Sequence, residues 1–268
     1  MMHSDEIRTV VKDKYNQLAR EKQDCCGTVD CSFIGESYSG LDGYVQDADL
    51  GLGCGLPTKY AGIRTGHTVV DLGSGAGNDV FIARREVGET GRVIGIDFAN
   101  DMLAKANQNL RTLGYQNVEF MYGDIEHMPL PDKTADVVVS NCVMNLVPDK
   151  HRAYAETFRI LKPGGHFCIS DVVIKGELPE NLRQAAALYA GCVSGAMPIQ
   201  EYLDVIESSG FNELSIEQEH MIDLSNDLLR EFLSEGQLAE LLAAGTGIYS
   251  ITVKAKKPAD PCCGSDCC

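Results

Sequence analysis

The stretch VVDLGSGAGNDV, residues 69–80, constrains this chain more than any other. Its first residues are apolar and β-branched, as in a short buried strand. Gly73, Gly75 and Gly77 follow, and NDVFIARREVG then has the pattern of a helix. Glycines permit the tight turn between strand and helix and let a ligand come close to the backbone. The spacing is G-x-G-x-G, whereas a dinucleotide fingerprint needs G-x-G-x-x-G. Asp71 stands just before the turn, and Asp97 closes the next strand, RVIGIDF. An acidic residue at that distance is where a ribose diol is held.

The rest of the chain extends this unit. ANDMLAKANQNLRTLG reads as a helix opened by Asn100 and closed by Gly114; VEFMYGD and ADVVVSN read as strands. KHRAYAETFRILKPGG reads as a helix and HFCISDVV as a strand. Strands alternating with helices predict βαβ units and a parallel sheet. The fold expected is α/β, Rossmann-like, with helices on both faces of the sheet and a C-terminal α+β cap region.

Four regions follow from the changes in pattern. Residues 1–64 hold a charged N-terminal helix, with Val10, Val11, Tyr15 and Leu18 on one side, then a Cys- and Gly-rich lid segment. Residues 65–175 form the cofactor-binding domain. Residues 176–255 form a cap plus the sheet's closing elements: PENLRQAAALYAGCVS, IQEYLDVIESSG and NDLLREFLSEGQLAELLAA read as helices, NELSIEQEHMI and GIYSITVKAKK as strands. Residues 256–268 make a flexible tail ending in PCCGSDCC, whose Pro, Gly and Asp break any regular element.

Composition narrows the function. The net charge is −16, a surface that repels phosphate backbones and anionic membranes, so neither nucleic acid nor membrane is an expected partner. The N-terminus has no apolar signal region and no run spans a bilayer, which places the protein in the cytoplasm. Eleven cysteines kept reduced there point to metal, metalloid or redox chemistry, or to small buried hydrophobes.

Four motifs in order resemble those of class I S-adenosylmethionine (SAM) methyltransferases. DLGSGAG matches the first; the acidic end of the second strand matches Asp97; GDIEHMPLPD matches the segment after the third strand; LKPGG matches the turn before the fifth. The resemblance covers roughly residues 65–175 and implies SAM as cofactor. It implies that Gly73, Ser74, Gly75 and Gly77 pack under the methionine portion, with Asp71 on the amino group. Asp97 would take the ribose hydroxyls, Asp124 the adenine amine and Ile125 its ring. Asn141 joins this set; Met102 either covers the adenine or fills the core.

O- and N-methylation usually need a base. The histidines sit in no catalytic signature, and His67 and His166 precede strands, at the end of the sheet away from the site. A soft nucleophile with a lone pair needs no base. Cys142 follows a strand at the ligand-binding edge, Cys54 lies in the lid segment, and Cys192 lies in the cap. GLGCGLPTKYAGIRTG, SNCVMNLVPDK and LYAGCVSGAMPIQEYLDVIESSGF resemble the cysteine motifs of the arsenite SAM methyltransferases.

That resemblance implies As(III) bound by Cys54, Cys142 and Cys192, with Cys25, Cys26 or Cys31 as a redox partner. It implies arsenite or arsenic–thiol conjugates as substrate, and glutathione or thioredoxin as reductant. Some members carry Tyr before Gly-Cys-Gly, where this chain has Leu52. Cys168, in mid-strand, is read as structural. The rivals are a small-molecule O-, N- or C-methyltransferase with structural cysteines, and a non-catalytic metalloid- or zinc-binding protein.

Overall fold

The computed structural model describes residues 4–21, 37–179, 195–222 and 233–260. Seven strands form one sheet: β1 (Thr68–Leu72), β2 (Arg92–Asp97), β3 (Val118–Tyr122), β4 (Ala135–Asn141), β5 (Leu161–Lys175), β6 (Asn212–Met221) and β7 (Gly247–Lys256). Their order is β3-β2-β1-β4-β5-β7-β6. The first five are parallel; β7 runs antiparallel to both β5 and β6. The helices are α1 (Ser4–Glu21), α2 (Pro57–Tyr60), α3 (Asn78–Val87), α4 (Asn100–Leu113), α5 (Lys150–Ile160), α6 (Ile199–Ser208) and α7 (Glu235–Ala243).

Strand alternation divides the core in two. Val70, Leu72, Ile94, Ile96 and Val138 face one side, packed with Tyr154 of α5 and Tyr202 of α6. Val69, Val93, Val137 and Val139 face the other, against Val80 and Phe81 of α3. Burying one such side chain contributes about 1.5–3 kcal/mol, so both faces fix the register of the strands.

The chain builds β1, β2 and β3 outward, then returns to lay β4 on the opposite side of β1. This reversal opens a crevice at the carboxyl ends of β1 and β4, where open α/β sheets bind ligands. The turn at Gly73 and the residue Cys142 flank that crevice.

Three elements depart from the sequence expectation. The helix expected over 150–165 ends at Ile160, and β5 begins at Leu161. Pro163 has no N–H to donate and disfavours helical backbone at Lys162, so the chain extends there. In α1 the expected apolar side is one residue too wide, since Val10 is 56% exposed. His166 lies inside β5, paired with Val137, rather than before it. Of the cap helices, the one expected over 179–194 and the first part of that over 226–244 lie outside the described residues, as does the tail from residue 261. Among the described residues no helix is long and apolar enough to cross a membrane.

Candidate active site

The crevice is one open cleft of about 1130 Å³, counted to its mouth. Its floor is the turn after β1. Gly73 and Ser74 both donate their N–H to Ile96 O, at 2.8 and 3.0 Å, which ties the turn to β2. Gly75, at φ 51°, has no atom nearer than 4.0 Å to where a Cβ would stand, so its backbone faces open cleft. Ser74 Oγ and Asn78 Oδ1 line the same floor, buried and without a hydrogen-bond partner. Such groups cost about 1–3 kcal/mol each unless something polar meets them.

Asp97 ends β2. Its Oδ2 accepts from Gly75 N at 2.9 Å and its Oδ1 from Ala99 N at 2.8 Å. Each oxygen keeps a further lone pair, the acceptor set that a diol needs. Asp71 and Asp79 line the cleft beside it, and all three carboxylates are under 9% exposed. Burial, reinforced by the charges of Asp79 and Asp97, holds Asp71 well above the ordinary carboxylate range. Burial pushes Asp79 up to about 6, against hydrogen bonds from Tyr38, Asn141 and Thr58 that favour its charged form. Burial also raises Asp97, offset in part by its backbone partners. Three desolvated carboxylates make a pocket that a cation stabilises. SAM carries an ammonium and a sulfonium, and its ribose, polar edge and apolar base match the rest of the lining.

At the far end, Gly123, Asp124 and Ile125 form one wall. Asp124 Oδ1 accepts from Glu126 N at 2.9 Å. Arg8 of α1 reaches over this wall, 3.2 Å from Asp124 Oδ2 and in contact with the buried carboxylate of Glu126. Arg8, Val11 and Tyr15 place α1 across the cleft. Sequence reasoning noted the α1 face but not what it covers. Met102 is fully buried against Leu18, Ala19 and Ala99, with its Sδ 4.0 Å from where a Cβ on Gly75 would stand.

Cys142 lies where β4 meets β5, and the loop of Cys54 is tied to Asn141 just before it. Cys142 lines the cleft, 3% exposed, with its N–H on Ser170 O at 2.8 Å. Its φ is 61°, a left-handed backbone uncommon outside glycine and concentrated at functional sites. Cys54 is fully buried. Asn141, directly before Cys142, accepts from Cys54 N at 2.9 Å and Gly55 N at 3.3 Å and donates to Gly55 O at 2.7 Å. The Asn141 side chain is thus committed to the Cys54 loop, and that loop is held beside Cys142. A Cβ at Gly53 would stand 2.7 Å from Asn141 Nδ2, and one at Gly55 2.6 Å from Ser170 Oγ, so only glycine fits on either side of Cys54.

Cys25, Cys26, Cys31 and Cys192 lie outside the described residues. Among the described residues no three His, Cys, Asp or Glu side chains converge as metal ligands. Gly195, three residues after Cys192, packs against Asn145, three residues after Cys142. No described histidine lines the cleft. His166 Nε2 meets Ala61 O instead. Cys168 sits among valines on the α3 side, and burial pushes its thiol up to about 12. Among the cleft residues that escaped the sequence reasoning are Tyr38 and Asp79. Their only signal was position: Asp79 opens the helix after the glycine turn.

The chain is similar to known methyltransferases in sequence and in fold. A family profile described as a methyltransferase domain matches residues 63–231. An arsenite methyltransferase of Halobacterium salinarum is 38% identical over 95% of this chain and 68% of its own length. One of Aquipseudomonas alcaligenes is 36% identical over 69% of this chain and 55% of its own. The crystal structure of an arsenic(III) SAM methyltransferase from Chlamydomonas reinhardtii superposes with a TM-score of 0.63 at 34% identity, covering 74% of this chain and 65% of that one. The chain spans about half to two thirds of the length of these relatives.

Proposed function

The chain belongs to the arsenite methyltransferases, SAM-dependent enzymes of the class I fold, and on that premise we propose that Cys54, Cys142 and Cys192 hold the trivalent arsenic it methylates. Cys142 carries this proposal: a buried thiol on left-handed backbone that lines the cofactor cleft. Cys54, held to it through Asn141, and the approach of Gly195 to Asn145 support it.

Thiolates are soft ligands and select a soft centre such as As(III). Three thiols displace three hydroxides from arsenite, and their protons leave as water. Arsenic keeps its lone pair, so no base is needed for it to act as nucleophile. Bound SAM supplies an electrophilic methyl on a cationic sulfur. Asp97 would take the ribose hydroxyls, Asp71 the ammonium and Asp124 the adenine amine, and Ile125 would cover the base. Positioning then supplies most of the rate.

Methyl transfer would use the arsenic lone pair to form the As–C bond as the S–CH3 bond breaks, with S-adenosylhomocysteine as leaving group, and would oxidise the metalloid. Two thiolates return two electrons by joining as a disulfide. Cys25, Cys26 or Cys31 takes part in this exchange, and glutathione or thioredoxin resets the thiols.

Turnover with arsenite, SAM and a dithiol tests the proposal. Wild-type enzyme should form methylated arsenic, and Cys142→Ser should lose about a hundredfold or more in rate as a hard hydroxyl replaces a soft ligand. Wild-type rates in Cys54→Ser and Cys142→Ser would overturn these thiols as the arsenic ligands, and a wild-type protein that ignores arsenite would hand the site to a small-molecule acceptor. Arsenite binding without SAM consumption would leave a metalloid-binding protein.

A further inference from the structure

We propose that Tyr38 is a positioning residue that links a cation in the cofactor cleft to the placement of Cys54, acting through Asp79 on one side and Asn141 on the other. The proposal rests on Cys54 being an arsenic ligand, as assigned above.

Tyr38 is 7% exposed and stands between the two halves of the site. Its hydroxyl donates to Asp79 Oδ2 at 2.7 Å and receives Asn141 Nδ2. A phenol has one proton to give, so the direction of this chain is fixed: Asn141 to Tyr38 to Asp79. The remaining capacity of the Asn141 amide grips the Cys54–Gly55 backbone, with Oδ1 accepting both N–H groups and Nδ2 donating to Gly55 O. Without the Tyr38 bond that amide proton keeps only the longer contact to Asp79 Oδ2, at 3.4 Å, and the amide is held less firmly over the loop. The glycine before Cys54 lies on the pair with no slack: a Cβ there would be 3.2 Å from the Tyr38 hydroxyl and 2.7 Å from Asn141 Nδ2.

Asp79 opens into the cofactor cleft, and its proton is held only to about 6. A cationic ligand beside it keeps it ionised. An ionised carboxylate is a stronger acceptor than a neutral one, and hydrogen bonds in a chain polarise one another. Tyr38 is then drawn toward Asp79, and its oxygen holds Asn141 more firmly. The Cys54 loop is set most tightly when the cleft holds a cation. The linkage is reciprocal, so arsenic on the thiols must raise the affinity for the cationic cofactor by the same factor.

Calorimetric titration of arsenite into the full-length enzyme tests this, with and without saturating sinefungin, a cofactor analogue with an amine cation and no transferable methyl. At about pH 5 a carboxyl raised to about 6 is mostly protonated in the empty cleft, so the analogue should raise wild-type arsenite affinity several-fold. At about pH 8 it is already ionised, and the gain should vanish. In Tyr38→Phe, which removes one oxygen and keeps the ring, the gain should fall below about twofold while sinefungin still binds. S-adenosylhomocysteine, neutral at sulfur, should give a smaller gain in wild type. Asp79→Asn is the second variant should Tyr38→Phe lose stability, and it should abolish the gain in the same way.

An arsenic-free readout runs beside it: the rate of Cys54 alkylation, followed by peptide mass spectrometry. Sinefungin should slow that rate in wild type and leave it unchanged in Tyr38→Phe. Equal losses of arsenite affinity with and without the analogue would mark Tyr38 as merely structural and overturn the proposal. So would a full gain in both variants. Wild-type protein that ignores arsenite but still protects Cys54 with sinefungin would sink the arsenic assignment and keep the relay.

Discussion

The cofactor half of the site and the thiol corner are built in opposite ways. In the cofactor half, neighbours in space are neighbours in sequence. Asp71, Gly73, Ser74 and Gly75 form one strand-to-turn run, and Asp97 closes the next strand with two backbone N–H groups on its carboxylate. In the thiol corner, Asn141 reaches residues 86 and 87 positions away on the Cys54 loop and Tyr38 at 103 positions. A site set by backbone geometry tolerates loss of one side chain. A site in which each ligand is held by another side chain is fragile at every member, since groups acting as a unit are not additive.

The largest test of this difference is made on the thiols. Combining Cys54→Ser with Cys142→Ser should be little worse than either alone, because one missing ligand already breaks the seat. Cys168→Ala should keep the activity and cost about 1 kcal/mol of stability, measured by denaturant melting, as a small apolar group leaves a packed core. Additive losses for the pair would show that the two thiols work separately and would erase the contrast drawn above.

The same difference decides what the sequence made legible. The glycine turn, Asp71 and Asp97 are contiguous signals, and the alternation of strands and helices marked a parallel sheet. The cysteines stood out through their motifs. Their supports did not. Nothing local marks Tyr38, because its role depends on a loop folding back onto β4. Nor does the pattern of α1 show that Arg8, Val11 and Tyr15 cross the cleft while Val10 faces solvent. The β5 start at Leu161 was legible in principle: Pro163 sits where the expected helix would have needed an N–H.

The next effect lies in the cofactor half. Asp97→Ala removes the acceptor for a diol and for Gly75 N and Ala99 N together. SAM affinity should fall by about 2 kcal/mol, or roughly thirtyfold, by calorimetry. The G-x-G-x-G turn should survive, because Gly73 and Ser74 remain bonded to Ile96 O. Circular dichroism should therefore match wild type. A collapse of the fold would show that this half, too, depends on single side chains.

A smaller effect is set by pH. Asp79 is raised to about 6 by burial, above its unfolded value. Its contribution to the stability of the ligand-free fold is therefore complete below about pH 4 and is lost as pH rises through about 6. A cation in the cleft reverses the preference, so SAM affinity should climb several-fold between about pH 5 and 7. Binding at pH 6 should release protons, read as a calorimetric enthalpy that varies with the ionisation enthalpy of the buffer. Asp79→Asn should flatten both curves. Proton uptake on binding would contradict the cation pocket.

The smallest expected effect concerns the one long-range element of the cofactor half, α1. Arg8 touches Asp124 and Glu126 from outside the sheet, so it is the member of that half most like the thiol corner. Glu126 is nearly fully buried, yet Asp149 N still donates to its Oε1 at 3.1 Å when Arg8 is gone. Arg8 itself is partly exposed and its pairs are screened by water, so its removal is milder than breaking a fully buried pair. Arg8→Leu keeps the apolar stem against the cleft and removes only the charge. SAM affinity should fall by about threefold, with a larger rise in the rate at which protease cuts α1. An unchanged cutting rate would mean that α1 is held by Tyr15, Leu18 and Ala19 against α4 alone, and that Arg8 adds nothing to closing the cleft. A loss as large as that of Asp97→Ala would place Arg8 among the cofactor contacts, and the cofactor half would then share the dependence on distant side chains that marks the thiol corner.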